Sequence, residues 1–377
     1  MQVPQLDLTR AHRGLEVELL AAAEKVILSG RYALGEEVSG FEAAIAELSG
    51  AAEAVAVNSG TDALNLALMA AGIGSGAEVV TTPFTFFATV EAILAVGARP
   101  VFVDIDPGTF NVNPQLVERA LTARTRALLP VHLFGHPADM PRLEDVAEAE
   151  GGLLLIEDCA QAVGASLNGV PVGSFGDLAA FSFYPTKNLG ALGDAGAVVT
   201  RYPDYAAAVR RLRNHGQSAP YHHDTRGLNS RMDELQAAFL NVKLRRLSAW
   251  NQERRKLAAT YGELLAGISE VETPTELAGC YHVYHQYAVR VGARDDVLAE
   301  LKEAGIGATV YYPVPLHLMK VLSFLGHKPG DFPEAERAAR EVLCLPIYPG
   351  LTAKEQDYVA EHLKRAVKRH PQSKGEG

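Results

Sequence analysis

Cysteine and long apolar runs are both scarce in this sequence. Its three cysteines, Cys159, Cys280 and Cys344, are odd in number, far apart and outside any CxxC pair. This argues against a disulfide framework and against a zinc site, and we expect no bound metal. No stretch is as long and apolar as a membrane span, and residues 1–13 lack the charged start and apolar core of a signal peptide. We therefore expect a cytoplasmic protein with no membrane partner.

Positive charge is also in short supply. The 35 lysines and arginines are outnumbered by 45 acidic residues, and the net charge is −10. Nucleic acid is therefore not expected as the main partner. The 377 residues, of which 48% are hydrophobic, suffice for a large core. At about 100 to 200 residues per domain, this length predicts two domains.

The first part of the chain alternates short β-branched runs with helical stretches. This alternation predicts an α/β fold with a mostly parallel, doubly wound sheet. Ligands of such sheets bind at the carboxyl ends of the strands. The predicted strands are 54–57, 78–82, 100–105, 127–131, 153–156, 179–183 and 197–200.

The pattern changes after Arg231. One long amphipathic segment follows, from Met232 to Trp250. Beyond it we expect a smaller α+β unit with strands at 284–291 and 309–312, helices at 295–304 and 333–342, and a polar tail from residue 370 that frays. This predicts a large domain over residues 1–250 and a small domain over 251–377.

The segment Asn58–Leu64 joins an apolar strand to an Ala/Leu-rich helix through Ser59, Gly60 and Thr61. The free amides and the positive dipole end of a helix N-terminus can hold a phosphate. An ordinary helix cap formed by Ser59 or Thr61 is the alternative. Taken alone, the segment does not separate the two.

Asp158 follows the apolar run Leu153–Ile156 at the end of a strand predicted to be buried. A carboxylate there needs a cation or strong donors, because burying it unpaired costs several kcal/mol or shifts its pKa. A helix N-cap is the alternative role. Cys159 beside it is predicted to be core packing, since no histidine and acid partner follow in a recognisable arrangement.

Lys187 lies between a strand end, Pro185 and the glycine-containing stretch Gly190–Gly196. A lysine, a buried carboxylate and a phosphate-binding turn are together what pyridoxal 5′-phosphate requires. The lysine forms a Schiff base, the carboxylate pairs with the pyridine nitrogen, and the turn anchors the phosphate.

The chain resembles the DegT/StrS group of sugar aminotransferases, within the aspartate-aminotransferase-like, fold-type-I pyridoxal-phosphate enzymes. The resemblance extends over almost the whole chain, and several separate motifs carry it in the family's order. The motifs are 35–41, 58–64, 82–89, 157–164, 181–196, 227–238 and 311–317.

The resemblance implies a role for individual residues. Lys187 would bond to the cofactor and Asp158 would pair with its pyridine nitrogen. Gly60, Thr61 and Ser182 would hold the phosphate, Gln161 would lie near the ring hydroxyl, and Phe86 would stack on the ring, with a core phenylalanine as the alternative.

The resemblance also implies a homodimer with shared active sites, because family members lend the residue at Asn229 to the neighbouring subunit's phosphate. Arg231 would then face the neighbouring nucleotide-sugar pocket, with a salt bridge to Asp233 or Glu234 as the alternative. Tyr311 lies where a substrate residue is expected, although many relatives have histidine there.

The implied reaction moves an amino group, from L-glutamate, onto a nucleotide-linked keto sugar. Gly193–Gly196 is similar to the corresponding run of enzymes that act on 3-keto sugars, and the nucleotide would be UDP or dTDP. Relatives that dehydrate sugars replace the lysine with histidine, so Lys187 favours transamination over dehydration. A non-catalytic, cofactor-binding regulator is a further alternative, for which the sequence offers no appended DNA-binding element.

Overall fold

The structure is a computed structural model that describes residues 1–371. The tail predicted to fray lies outside these residues from position 372 onward. Within the described part, no helix combines the length and the apolar character that crossing a membrane needs. The α-helices are α1 Leu8–Ala11, α2 Glu16–Ser29, α3 Glu36–Ser49, α4 Gly60–Ala70, α5 Ala88–Ala95, α6 Met140–Ala149, α7 Pro203–Leu212, α8 Glu234–Leu244, α9 Leu247–Leu265, α10 Arg294–Glu303, α11 Pro333–Glu341 and α12 Ala353–Arg369.

The strands form one large sheet and three small ones. The large sheet contains β1 Glu53–Val57, β2 Glu78–Thr81, β3 Arg99–Phe102, β4 Thr125–Leu128, β5 Leu154–Asp158, β8 Leu178–Ser182 and β9 Gly196–Thr200. The short strands are β6 Ser166–Leu167, β7 Val170–Pro171, β10 Gln217–Ala219, β11 His222–His223, β12 Val271–Glu272, β13 Cys280–Tyr281, β14 Tyr287–Val291 and β15 Val342–Leu345.

All seven strands predicted between residues 54 and 200 are present, and all belong to the large sheet. Its order is β1-β9-β8-β5-β4-β2-β3. The pairs from β8 to β3 are parallel, whereas β9 runs antiparallel to both β1 and β8. The predicted mostly parallel sheet is therefore confirmed, with one reversed strand near its edge.

Helices cover both faces of the large sheet. Alternate residues of β1 point to opposite faces, as strand geometry requires. Ala54 and Ala56 join the cluster that contains residues of α3 and α8, whereas Val55 and Val57 join the cluster that contains residues of α4 and α7. Because both faces are covered, the strands are apolar at successive positions, which explains the pattern seen in the sequence.

The C-terminal part is a smaller α+β unit. Strands β12, β14 and β15 form an antiparallel sheet against α10 and α12. Val3 lies in the same core, so the first residues of the chain pack with the last third of it. Helix α9 runs through residue 250, and the domain division there stays a prediction.

Two predicted elements differ from the structure. The long segment after Arg231 is two helices. The amide of Arg246 bonds to the carbonyl of Lys243, three residues earlier, whereas an α-helix bonds residues four apart, so α8 ends there. The predicted strand 309–312 is wrong. Only Thr309 pairs, with Cys344, and the chain then turns away before Pro313. The predicted strand 284–291 and the helices near 295–304 and 333–342 are present with shifted ends.

Glu234 connects the two helices that cover one face of the sheet. Its buried carboxylate, at the start of α8, accepts hydrogen bonds from the amides of Gly35, Glu37 and Val38 at the start of α3. A Cβ atom on Gly35 would lie 2.8 Å from a carboxylate oxygen of Glu234. Two motifs that are nearly 200 residues apart are therefore parts of one helix cap.

We expect Glu234→Ala to lower the free energy of unfolding by about 3 kcal/mol, because three amides at the start of α3, one of them buried, would lose a charged acceptor. The urea midpoint, followed by circular dichroism, measures the loss. Glu47→Ala, at an exposed position of α3, is the matched control and should leave the midpoint within experimental error. Equal midpoints for both variants would contradict this account of the cap.

Candidate active site

A cavity of about 530 Å³ opens at the carboxyl edge of the large sheet. It contains most of the site residues predicted from the sequence and several that were not predicted. The predicted residues that line it are Gly60, Thr61, Phe86, Asp158, Gln161, Ser182, Lys187 and Tyr311.

The direction of the strands brings these residues together. Strands β5 and β8 are parallel neighbours, so Asp158 and Ser182 at their carboxyl ends lie at the same edge. Because β9 is antiparallel to both β8 and β1, β1 also ends at this edge, and Ser59 follows it. Gly196 makes the close approach possible, since a Cβ atom there would lie 2.3 Å from the carbonyl oxygen of Ser59.

Asp158 is 4% exposed and has few donors. The hydroxyl of Thr89 donates to its Oδ2 at 2.8 Å, and the amide of Ala160 donates to its Oδ1 at 3.1 Å. Burial raises the pKa of this carboxyl, and the Thr89 hydrogen bond offsets only part of that effect. Residues 159–165 form turns rather than a helix, so Asp158 does not act as a helix cap.

Lys187 lies at the cavity wall, in the loop after β8. Its amide bonds to the carbonyl of Tyr184 at 2.8 Å, and the loop returns where the amide of Ala191 bonds to the carbonyl of Phe183. Burial lowers the pKa of Lys187 to about 8, while the negative charge of Asp158 acts in the opposite direction. The amine is therefore closer to neutral at physiological pH than an exposed lysine.

The N-terminus of α4 forms another wall of the cavity. Ser59 caps this helix by accepting from the amide of Asp62 at 3.1 Å. The first amides of a helix have no partner within it, so those of Gly60 and Thr61 can bind an anion. A Cβ atom on Gly60 would lie 2.5 Å from Cβ of Ser182, which limits this position to glycine.

Residues from beyond position 250 close the cavity. The amide nitrogen of Gln161 donates to the hydroxyl of Tyr312 at 3.0 Å, and its oxygen accepts from the amide of Phe134 at 2.8 Å. Phe86 is largely exposed, and its ring centroid lies 6.2 Å from that of Tyr312. The alternative that Phe86 is a core phenylalanine is therefore wrong. The nearby Phe84 is the phenylalanine that is buried.

Asn229 and Arg231 do not line this cavity. They line an adjoining cavity of about 710 Å³, which shares Ser59 and Asp194 with the first. A guanidinium nitrogen of Arg231 donates to Oδ1 of Asn214 at 3.2 Å. The alternative, a salt bridge from Arg231 to Asp233 or Glu234, is not formed among the described residues, where Arg231 bonds to Asn214 instead.

The cavity residues that were not singled out from the sequence include Thr89, His285 and Tyr312. Thr89 lies four residues after Thr85, and the two hydroxyl oxygens are 3.1 Å apart. Two threonines at this spacing near a strand end could have indicated a site residue. His285 and Tyr312 had no such signal, because they reach the site from a distant part of the chain.

The buried group His132, Glu157 and Cys159 has the composition of a metal site. Its polar atoms are already bonded, however. His132 Nδ1 accepts from the amide of Ala138, so Nε2 carries the proton and donates to Glu157 at 3.0 Å. Burial raises the pKa of the Cys159 thiol well above its usual value. We assign this group a structural role.

Comparison with known proteins supports the resemblance. The family model described as the DegT/DnrJ/EryC1/StrS aminotransferase family matches residues 14–364. The chain is 49% identical to a "Pleiotropic regulatory protein" of Geobacillus stearothermophilus, over 96% of this chain and 98% of that protein. It is 44% identical to a UDP-N-acetyl-3-dehydro-alpha-D-glucosamine 3-aminotransferase of Acidithiobacillus ferrooxidans, over 97% and 98% of the two chains.

A solved structure has the same fold. The crystal structure of DesV from S. venezuelae, in complex with a ketimine intermediate, superposes with a TM-score of 0.94 at 45% sequence identity. The alignment covers 97% of this chain and 98% of DesV. The family match and these similarities extend over nearly the full length of the chain, which belongs to the DegT/DnrJ/EryC1/StrS aminotransferase family.

Proposed function

We propose that this protein is a pyridoxal 5′-phosphate-dependent aminotransferase that moves an amino group from L-glutamate onto a nucleotide-linked keto sugar. One observation carries the proposal: a buried carboxylate, a lysine with a lowered pKa and a free helix N-terminus line the same cavity. Each of the three matches one part of the cofactor.

The residues present fit the cofactor in charge. Asp158 is a buried carboxylate with a raised pKa, and no cation among residues 1–371 is bonded to it, so a protonated pyridine nitrogen would supply a partner. Gly60, Thr61 and Ser182 would hold the phosphate, Gln161 would lie near the ring hydroxyl, and Phe86 would contact the ring. When bound, the cofactor supplies an electron sink for the negative charge that develops at the donor's Cα.

Lys187 would serve two purposes. It would hold the cofactor covalently at rest, and its Nζ, once free, would take the proton from the donor's Cα. A lysine with a pKa of about 8 is suited to both, since an appreciable fraction is neutral near physiological pH. Asp158 is largely buried, and burial strengthens its interaction with a cation that enters the cavity.

For the sugar substrate we propose a keto group at C3. The attached UDP or dTDP group would extend from the cavity toward solvent. The run Gly193–Gly196 supports C3, as does the 3-aminotransferase name of the Acidithiobacillus ferrooxidans relative. Tyr311 lines the cavity and is the proposed substrate-binding residue there.

We further propose a homodimer with shared sites. Asn229 and Arg231 line the adjoining cavity, from which a second subunit's cofactor phosphate and nucleotide could be reached. Helix α2 supports the dimer, because Val17, Leu20, Ile27 and Leu28 are exposed on one side while Leu19 packs beneath. Exposed apolar side chains grouped on one side of a helix are typical of a surface that another chain covers.

Two alternatives predict different behaviour. Sugar dehydration is disfavoured by Lys187, as the sequence already indicated. A non-catalytic regulator is the role suggested by the name of the Geobacillus stearothermophilus relative. A regulator could bind the cofactor, but it would not need a lysine with a lowered pKa in the same cavity as a buried carboxylate, so turnover separates it from the proposed enzyme.

A cytoplasmic location is part of the proposal. Cys159, Cys280 and Cys344 are all free thiols. Thiols that remain unpaired are typical of proteins kept in a reducing compartment.

Borohydride reduction of the protein with pyridoxal phosphate should add the cofactor's mass to the peptide that contains Lys187. Lys187→Ala should still bind the cofactor without a covalent bond but lose turnover, because the proton acceptor is gone. Peptide mass spectrometry and an assay of the amino-sugar product measure the two effects. Recovery of the adduct on Lys243, the other lysine with a lowered pKa, would contradict the assignment.

Asp158→Asn should reduce turnover by about a hundredfold or more, because it removes the charge that keeps the pyridine nitrogen protonated. Steady-state kinetics with glutamate and the keto sugar measure the loss. Asp204→Asn, an exposed change on α7, is the matched control and should have native kinetics. A near-native rate for Asp158→Asn would reduce Asp158 to a structural role.

Mixing inactive Lys187→Ala protein with Asn229→Asp protein should regenerate activity. If Asn229 serves the neighbour's phosphate, one site of the mixed dimer carries both lesions and the other carries neither. Subunit exchange followed by the activity assay measures this.

The matched control mixes Lys187→Ala with Asp158→Asn, whose lesions lie in the same cavity of one chain. No intact site can form in that mixture, so its activity should stay at the parents' level. If the Asn229→Asp mixture also stays there although heterodimers form, Asn229 acts within its own chain.

A further inference from the structure

The loop that carries Lys187 has few backbone hydrogen bonds of its own. The amide of Lys187 bonds to the carbonyl of Tyr184 at 2.8 Å, and the loop closes at Ala191, whose amide bonds back to Phe183. Between these bonds, the backbone amides of residues 188–190 have no acceptor among residues 1–371. Side chains must therefore fix the part of the loop that begins directly after the lysine.

Asn188 is the buried residue that anchors this part of the loop. Its Nδ2 donates to Oδ1 of Asn251 at 2.8 Å and to the carbonyl of Val283 at 2.9 Å. Its Oδ1 lies 3.2 Å from Nδ1 of His285. Both polar atoms of the Asn188 side chain are therefore bonded, and all of their partners lie beyond position 250.

Asn251, near the start of α9, connects this anchor to the segment that follows Asp158. The Nδ2 of Asn251 donates to the carbonyl of Val163 at 3.0 Å. Gly164 makes room for it, since a Cβ atom there would lie 2.8 Å from that Nδ2. One amide side chain therefore bonds both to the segment after Asp158 and to the residue after Lys187.

These hydrogen bonds lie within an apolar core. Val163, Leu189 and Val283 belong to the buried cluster that contains residues of α3 and α8, and Asn251 is 2% exposed. In such surroundings a hydrogen bond is stronger than in water, and a polar group that loses its partner is costly. The contact between Asn188 and Asn251 is therefore a rigid connection between two parts of the site.

We propose that Asn251 is a positioning residue for Lys187, because through Asn188 it fixes the backbone of the lysine loop relative to the segment that begins at Asp158. The proposal deepens the proposed function and rests on it for its catalytic meaning. The Nζ of Lys187 has to move between the cofactor and the Cα of the donor. A fixed backbone limits this movement to the lysine side chain.

The anchor would also keep Lys187 buried. Burial lowers the pKa of Lys187 to about 8, against the opposing charge of Asp158. If the loop were released from Asn251, the amine could reach water, and its pKa would return toward that of an exposed lysine. A substitution that changed only the overall stability would leave this pKa unchanged in the folded protein.

The test substitution is Asn251→Leu, which has a similar volume but no polar atoms. Gln252→Leu places the same residue at the next, exposed position of α9 and is the matched control. The full-length protein, freed of cofactor, is labelled with trace acetic anhydride over a range of pH, and the modified Lys187 peptide is quantified. Circular dichroism at each pH establishes that the labelled protein is folded.

The native protein and Gln252→Leu should show an inflection for Lys187 near pH 8. In Asn251→Leu the inflection should rise by about one pH unit. Labelling at pH 8 should then fall about fivefold, because less of the amine is neutral. An inflection in folded Asn251→Leu that stays at the native value, or moves below it, would overturn the proposal.

A second measurement uses the native sequence and does not depend on how Asn251→Leu folds. Backbone hydrogen exchange of the cofactor-free protein is followed in a peptide that spans residues 188–190. Because these amides have no acceptor, we expect exchange at least about tenfold slower than in the unstructured peptide only if side chains hold the loop. Less protection than this would contradict the proposal. Neither measurement involves turnover or the borohydride adduct, so failure of this proposal is distinguishable from failure of the proposed function.

Discussion

The buried carboxylate of Asp158 is the constraint around which the cavity is arranged. It lies at the end of a central strand, where it is 4% exposed and where, among residues 1–371, one hydroxyl and one amide donate to it. Burial raises its pKa, so the site favours a cation beside it. The side-chain donor is Thr89, whose hydroxyl also hydrogen-bonds with that of Thr85. The start of α5 therefore helps to hold Asp158. A carboxylate left in this state is costly unless a positively charged partner enters the cavity.

The fold supplies this environment through the direction of its strands. Strands β1, β5 and β8 run the same way, so three loops meet at one edge although they are far apart in the chain. The antiparallel strand β9 lies between β1 and β8, and its first residue, Gly196, has no side chain that would separate them. The helix N-terminus after β1 therefore comes close to Ser182 and to the loop of Lys187. An extra carbon at either glycine of this contact, Gly60 or Gly196, would meet backbone or side-chain atoms.

The two ionisable groups of the site are shifted toward their neutral forms by the same cause. Burial raises the pKa of Asp158 and lowers that of Lys187, and their mutual attraction opposes both shifts. The C-terminal unit completes the enclosure, because Tyr312 bonds to Gln161 and His285 lines the cavity. Chemistry that needs a charged carboxylate and a neutral amine depends on this balance, which neither group would have in water.

Much of the molecule could be predicted from the sequence because local periodicity determines it. All seven strands of the large sheet were found from apolar runs, and Asp158 and Lys187 were found because they follow such runs. The sequence did not reveal the reversal of β9, the break between α8 and α9, or the loss of the strand at 309–312, since these depend on contacts between distant segments. The same reason applies to Thr89, Tyr312 and His285, and to the cap that Glu234 places on α3. Residue types and their spacing along the chain determined which groups this protein could use. Only tertiary packing decided which of them meet, because a side chain's partners and its exclusion from water are set by segments hundreds of residues away.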